Sequence, residues 1–365
     1  MRRTQLVPGV ALAAAGLLTA SAAMAQDASF PPAGTSDLKI GVVTDVGTLD
    51  DKNFNEFSWN GAVLGAQMIG APEPQAIVTT ASADYAKNVQ TFIDQDYDII
   101  VTIGFAIGAD TLAAATANPD VQFIGVDQFQ CYGTDCSGEG APANFQSIVF
   151  AEAQPGYLAG IVAGSLTKTD VIAALGGSNT IPPVVSYMRG YENGAKSVNP
   201  DVTVNLQYVS DDLGKAFNDP AGGTAFAEQF MQQVPEADFI FQAAGKTGNG
   251  MLQAVCAARA ADKDVWGIGV DVDQYLSTPD SSACILTSAE KKLQSAVSQL
   301  IVAISDGTSE GGNVFFSAAN DGIGLSPFYG NEALVTPELQ AALDAALAGF
   351  VDGTLDPCAP VACTP

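Results

Sequence analysis

The chain has 365 residues, with 40 acidic against 14 basic side chains, no histidine and a formal charge of −26 at pH 7. A surface this acidic repels nucleic acid, anionic membranes and phosphorylated ligands such as nucleotides. The missing histidine removes the commonest general base and, with it, the Ser-His-Asp triad.

Two arginines, an apolar Ala/Leu/Gly segment and Ala23-Met24-Ala25 before Gln26 read as a secretory signal peptide over residues 1–25. No cysteine stands at the cleavage site, so a lipid anchor is not expected. No later apolar run nears the ~20 residues of a spanning helix. The mature protein is expected to be soluble and periplasmic or extracellular, and its few lysines and many aspartates fit a saline habitat. Roughly 340 residues exceed one ordinary core and suggest two lobes.

The stretch 41–61, GVVTDVGTLDDKNFNEFSWNG, organises the rest of the chain. An apolar strand over 38–43 runs into Thr44 and Asp45, then a loop carrying Gly47, Asp50 and Asp51, then a helix from Phe54 to about Met68. In an open parallel α/β sheet ligands sit at the carboxyl ends of strands, beside helix N-termini. Residues 45–55 are therefore where a first strand hands its side chains to a ligand. Strands at 75–79, 99–103 and 121–126 alternate with helices at 83–94 and 110–117, which gives βαβ units and a parallel sheet. The strand at 121–126 ends on Asp127, equally readable as a ligand residue or a helix cap. Residues 129–144 form a Cys/Gly/Pro loop, 144–150 an edge strand leaving the first lobe, and 152–165 a small-residue helix.

The pattern then repeats. Strands at 171–175, 202–209, 238–242 and 265–270 alternate with helices at 182–198, 220–232 and 251–261. A polar loop over 210–219 carries Phe217, and a glycine-rich turn over 243–250 precedes its helix. A strand and helix over 283–305, short strands at 311–316 and 322–325, and a helix at 337–352 close the chain. The expected division is 37–150 plus 274–310 for lobe 1 and 151–273 plus 311–356 for lobe 2, with a Cys/Pro-rich tail at 357–365. Each lobe is a doubly wound, mostly parallel α/β sheet flanked by helices.

Six cysteines in an exported chain suggest disulfides. Proximity pairs Cys131 with Cys136, Cys256 with Cys284 and Cys358 with Cys363. With no histidine and no Cys-x-x-Cys, a zinc site is disfavoured, and neither metal nor cofactor is expected. Gly245-Lys246-Thr247 is not a P-loop, because position 240 is Ile where the motif needs Gly. Gly267 and Gly269 lack the third glycine of a dinucleotide fingerprint. Asp50-Asp51 could be a catalytic pair, but adjacent acids at a helix start more often serve as caps. Asp271 and Asp273 lack the remaining positions of a calcium loop. No catalytic set emerges.

The stretch VTDVGTLDDKNFNEFSWNG resembles the opening motif of the basic membrane protein family, the nucleoside-binding subunits of ABC importers, whose usual wording is close to VTD-GG-DDKSFNQSAWEG. Thr48 replaces the second Gly, Asn53 replaces Ser, and Glu56-Phe57 replace Gln-Ser. AAGKTGNG resembles the family's QAAGGTGNG, with Lys246 in place of Gly and a side chain expected to face solvent or to narrow the cleft. The resemblance extends from Leu38 to about Pro327. It implies a two-lobed type I periplasmic-binding-protein fold and no enzymatic activity. It places Phe54 and Phe217 on the residues that sandwich a nucleobase, where a stacked base is worth ~1–3 kcal/mol. Asp45, Asn55 and Asp127 fall on base- or cleft-lining positions, Gly245 on a close backbone approach, and Asp271 and Lys291 on ribose-hydroxyl contacts. Glu152 and Tyr157, in a segment that also resembles the family, are expected to be structural. The implied ligand is a nucleoside, most plausibly a purine nucleoside, and the implied partner a membrane permease, with the protein itself a monomer. Two alternatives stay open: the same fold serving a sugar or another small polar solute, or a nucleoside hydrolase built on Asp45, Asp50 and Asp51.

Overall fold

Short runs of Ile, Val, Phe and Ala, apolar on both faces, build strands that must be covered on both sides. The computed structural model describes residues 36–133 and 139–363; the signal-peptide expectation lies outside them. The first half of the chain reads β1 (Ile40–Thr44), α1 (Phe54–Ile69), β2 (Gln75–Ile77), α2 (Tyr85–Ile93), β3 (Ile99–Ile103), α3 (Gly108–Ala117), β4 (Gln122–Val126) and β5 (Phe145–Phe150). After α4 (Ala153–Leu166) the alternation recurs as β6 (Val171–Gly176), α5 (Pro182–Val198), β7 (Thr203–Tyr208), α6 (Leu213–Phe217), α7 (Pro220–Gln233), β8 (Phe239–Ala243), α8 (Gly245–Ala260) and β9 (Trp266–Asp271). The last part holds α9 (Gln274–Ser277), β10 (Ile285–Lys291), α10 (Leu293–Ser305), β11 (Gly312–Phe316), β12 (Ile323–Leu325) and α11 (Pro337–Asp352).

Among the described residues these strands form two six-stranded sheets, in the orders β11-β5-β4-β3-β1-β2 and β12-β10-β9-β8-β6-β7. The two orders correspond strand for strand, and all pairings are parallel except β10 with β12. Alternate residues of each strand enter different cores. Ile40 and Val42 pack with α1 and α10, whereas Val43 packs with Tyr85, Val89 and Phe92 of α2. In the second sheet Ile172 and Ala174 face α4, α5 and α11, and Ala173 and Leu175 face α7 and α8. The expected doubly wound, two-lobed α/β fold is the observed one.

Strand pairing corrects the expected lobe boundaries. β10 lies beside β9 and so belongs to the second sheet, not the first. β11 lies beside β5 in the first sheet, so β5 is an interior strand rather than an edge. The helix between them, α10, packs on α1 in the first lobe. The chain therefore crosses between lobes near 151–152, near 292 and over 317–322. The crossings are tied together: Ala151 N donates to Phe316 O at 2.9 Å, Lys292 N to Gly322 O at 2.9 Å, and Ala318 N to Gln154 Oε1 at 2.9 Å.

Two further segments differ from expectation. The loop at 210–219 contains α6, started by Asp212, whose carboxylate accepts from the amides of Gly214 and Lys215. The glycine-rich turn at 243–250 is already α8, because its glycines allow the helix to lie against neighbouring backbone. A Cβ on Gly250 would stand 1.8 Å from Pro220 O at the start of α7.

Of the expected disulfides, Cys256–Cys284 and Cys358–Cys363 are formed. Cys131 is disulfide-bonded, and its expected partner Cys136 lies outside the described residues. Among the described residues no helix is long and apolar enough to cross a membrane.

Candidate functional site

The sheet orders place a topological switch point between β1 and β3 in one lobe and between β6 and β8 in the other, where an open α/β sheet leaves a crevice. A cleft of about 690 Å³, counting the space open to solvent at its mouth, lies between these strand ends. All eight residues expected from the sequence line it: Asp45, Phe54, Asn55, Asp127, Phe217, Gly245, Asp271 and Lys291.

Asp45 follows β1 and is almost fully buried. Its Oδ1 accepts from its neighbour Val46 N at 2.5 Å, and its Oδ2 from Ala106 N at 3.0 Å. Gly104, at the end of β3, makes room for this carboxylate. Its φ is +108°, and a Cβ there would meet the Asp45 side chain at 2.1 Å. Burial pushes the Asp45 carboxyl up to about 7, against the pull of the Ala106 and Val46 amides.

Phe54 opens α1, and Asp51 holds that helix start in place. Asp51 Oδ1 accepts from Asn53 N at 2.9 Å and Glu56 N at 3.0 Å, and its Oδ2 accepts from Asn55 N at 2.9 Å. Both oxygens are thus spent on the first turn of α1, and Asp50 is exposed at the rim. Asp51 thus serves the helix start and Asp50 is a rim charge. Asn55 Nδ2 donates to Val46 O at 3.1 Å and Asp51 Oδ2 at 3.0 Å, leaving Oδ1 buried with no hydrogen bond.

From the second lobe, Phe217 ends α6 with its ring against the backbone of Gly177, just after β6. Gly245 has φ +53°, and a Cβ there would lie 3.3 Å from Phe217 O. The close neighbour of this backbone is Phe217. Ile181, Pro183 and Val184, at the start of α5, complete an apolar wall.

The floor is charged. Asp127 follows β4 and Asp271 ends the corresponding β9, and both adopt left-handed backbone, φ +59° and +64°. Aspartate tolerates this region better than most residues. Lys291 Nζ lies 2.6 Å from Asp127 Oδ2, 3.4 Å from Asp271 Oδ1 and 4.0 Å from Glu152 Oε1. It also lies 4.8 Å from the Phe54 ring centre. Burial alone would depress the Lys291 ammonium, but Asp127, Asp271 and Glu152 together raise it above its ordinary value. Asp127 Oδ1 makes no hydrogen bond, and Asp271 Oδ1 faces the Lys291 ammonium. The neighbouring Lys292 pairs with Glu290 at 2.7 Å.

The sequence reading missed Tyr187, Phe105 and part of the role of Glu152. Tyr187 lines the cleft from the middle of α5, where its helical spacing reads as core. Phe105 directly follows Gly104, and that strand-end glycine was the available signal. Glu152 is buried at the first lobe crossing, where burial and then the Asp127 charge push its carboxyl up to about 8. Tyr157 packs in the second-lobe core, as expected. Lys246 does not line the cleft interior and stays partly exposed to solvent. Its Nζ reaches across to Thr48 Oγ1 at 3.0 Å and Asp50 Oδ1 at 3.0 Å.

A cleft lined by Phe54 and Phe217, with the Asp127–Lys291–Asp271 cluster on its floor, suits a partly polar solute. The sequence model of the family described as ABC transporter substrate-binding protein, PnrA-like, matches residues 38–346. The chain is 30% identical to the ABC transporter nucleoside-binding protein BmpA of Lactococcus lactis over 97% of this chain and 98% of that protein. It is 28% identical to Basic membrane protein A of Borreliella burgdorferi over 85% of each. Among solved structures, an ABC transporter solute-binding protein of Aeropyrum pernix superposes with a TM-score of 0.77 at 22% identity, covering 87% of this chain and 92% of that one.

Proposed function

The chain belongs to the PnrA-like substrate-binding proteins of ABC transporters, and we propose that it captures a purine nucleoside between its lobes. The observation that carries this reading is the division of one cleft into two chemistries. Phe54 and Phe217 enter from opposite lobes, and the acceptors of Asp127 and Asp271 gather around Lys291. A base stacks on the aromatic faces, and ribose hydroxyls donate to the Asp127 and Asp271 carboxylates while Lys291 compensates their buried charge. Asn55 Oδ1, also unpartnered, favours a base edge that presents a donor.

Three chain crossings form the hinge about which the lobes close on the solute. The loaded protein works outside the membrane and delivers to a permease as a monomer. It performs no chemistry, and Asp51, committed to the α1 backbone, is not available to a hydrolase.

Isothermal titration of refolded, ligand-free mature protein with adenosine, guanosine, inosine, cytidine, uridine and ribose tests the reading. Purine nucleosides should bind while ribose stays silent, and Phe54→Ala and Phe217→Ala should each weaken binding by ~1–3 kcal/mol. Sugar binding that survives both substitutions would replace the nucleoside with a sugar. Free base released during incubation would revive the hydrolase.

A further inference from the structure

The loop between β1 and α1 is held by three side chains from the other lobe. Lys246 Nζ contacts Thr48 Oγ1 and Asp50 Oδ1, both at 3.0 Å. Asn249 Nδ2 donates to Asp51 O at 2.7 Å, and Ser277 Oγ to Lys52 O at 2.8 Å. These donors stand on rigid supports. Lys246 and Asn249 lie in the first turns of α8. Asn249 Oδ1 accepts from Gln274 Nε2 at 2.9 Å, and Gln274 Oε1 in turn accepts from Gln242 Nε2 at 2.6 Å. On the receiving side Thr48 Oγ1 donates to Asp50 Oδ1 at 2.5 Å, so the two acceptors of Lys246 are already joined. Thr48 and Lys246 both stand where the family wording has glycine, so the ammonium end of this contact and its Thr48 acceptor are absent from that wording, whereas Asp50 is shared with it.

We propose that Lys246, with Thr48 and Asp50, is a clasp that holds the rims of the two lobes together and slows escape of the bound solute. Lys246 does not touch the interior of the cleft, so it is a positioning residue. It acts through the 47–52 loop, which connects Asp45 to Phe54 and Asn55. Opening the cleft separates the α8 start from that loop and breaks all three contacts at once. The ion pair is the part of the clasp that salt can loosen. Asp50 has 74% of its side chain exposed and Lys246 28%, so ions reach the pair, whereas the Asn249 and Ser277 contacts are neutral. Salt also screens repulsion between two acidic lobes, which favours closure. The two effects have opposite signs, and removing Lys246 isolates the local one.

The clasp rests on the cleft being a solute site but not on the solute's identity. The test compares wild type, Lys246→Met, Lys246→Arg and Asp50→Asn, each first shown by thermal melting to be folded. Guanosine release is followed by competitor chase, and amide hydrogen exchange over 47–52 is followed in ligand-free protein. In dilute buffer, Lys246→Met and Asp50→Asn should release guanosine about two- to fivefold faster with unchanged association, and Lys246→Arg should restore the wild-type rate. The difference should vanish near ~1 M salt, where the Debye length falls to about 3 Å. Release at the wild-type rate, or a difference that ignores salt, overturns the clasp. Should guanosine bind to none of the proteins, the nucleoside reading is left to the titration with the other nucleosides and the exchange data alone decide the clasp. Faster exchange over 47–52 in Lys246→Met upholds the clasp, and unchanged exchange overturns it.

Discussion

β1 hands over to Asp45, and its counterpart β6 to Gly177. β4 and β9 both hand over to a left-handed aspartate, Asp127 and Asp271. Beyond β5 the first lobe carries Glu152, while the corresponding β10 ends on Lys291. The same strand order thus supplies three carboxylates from one side and, from the other, a carboxylate, a cation and a glycine that accommodates an aromatic ring. The frame is duplicated and the chemistry is complementary. In the structure Asp127 and Glu152 of the first lobe lie 2.6 and 4.0 Å from the ammonium of the second.

That comparison is broken most severely at Lys291. The lysine is the shared partner of carboxylates from both lobes, so Lys291→Met leaves Asp127 and Asp271 buried without a counter-charge. Removing one partner of a buried ion pair costs about 3–5 kcal/mol. Urea unfolding should show a loss of that size, and titration should show loss of solute binding. Neutralising the orphaned acids in the triple variant with Asp127→Asn and Asp271→Asn should return much of the stability without returning binding. A Lys291→Met loss below ~1 kcal/mol would mean that the lobes are not electrostatically joined there.

The next test asks which lobe carries the proton-sensitive groups. Asp45 and Glu152 both come from the first lobe or its crossing, with carboxyls raised to about 7 and about 8. In the unfolded chain both titrate near 4. Below that range both states are protonated and the folded protein is at no disadvantage. As pH rises toward the folded values, the unfolded state releases the protons first, so stability falls. Each group steepens the decline by up to ~1.4 kcal/mol per pH unit within its window. Asp45→Asn should flatten the profile up to about pH 7 and Glu152→Gln up to about pH 8. Urea midpoints measured between pH 5 and 8 check this, and a flat wild-type profile would mean that neither carboxyl is held protonated.

Much of this arrangement was legible in the residues alone. Strand ends are visible in a sequence because an apolar run stops, and an aspartate stands at the stop. Asp45 comes two residues after Val43, and Asp127 directly after Val126. This is why Asp45 and Asp127 meet in the cleft, whereas Asn55, Gly245 and Lys291 were placed there by the family resemblance. Partnership across the cleft was not legible. Tyr187 obeys helical spacing and looks like core, because periodicity tells which face is buried but not that a second lobe buries it. The long side chain of Lys246 looked like a solvated charge for the same reason. Lobe membership failed at β10 and β11, since a strand's sheet is decided by its hydrogen-bonding neighbour, and short apolar runs carry no sign of which neighbour that is.

The smallest expected effect distinguishes how the two lobes hold their aromatic residues. Phe54 begins a helix of 16 residues whose first turn is fixed by the buried Asp51 carboxylate, with two backbone amides on one oxygen and another on the second. Phe217 ends a helix of five residues, and the next helix is capped by Asp219 through a single bond to Gly222 N at 2.9 Å. Caps lost to alanine cost about 0.5–2 kcal/mol, with multiply bonded, buried ones at the upper end. Asp51→Ala should therefore cost ~2 kcal/mol in urea unfolding and Asp219→Ala ~1 kcal/mol or less. Solute affinity should follow the same order, because loosening α1 frees Phe54 and Asn55 together, whereas loosening α7 leaves α6 on its own cap at Asp212. Equal losses in the two variants would show that the first-lobe platform is no more firmly held than the second, and that both rings are positioned by closure rather than by their own helices.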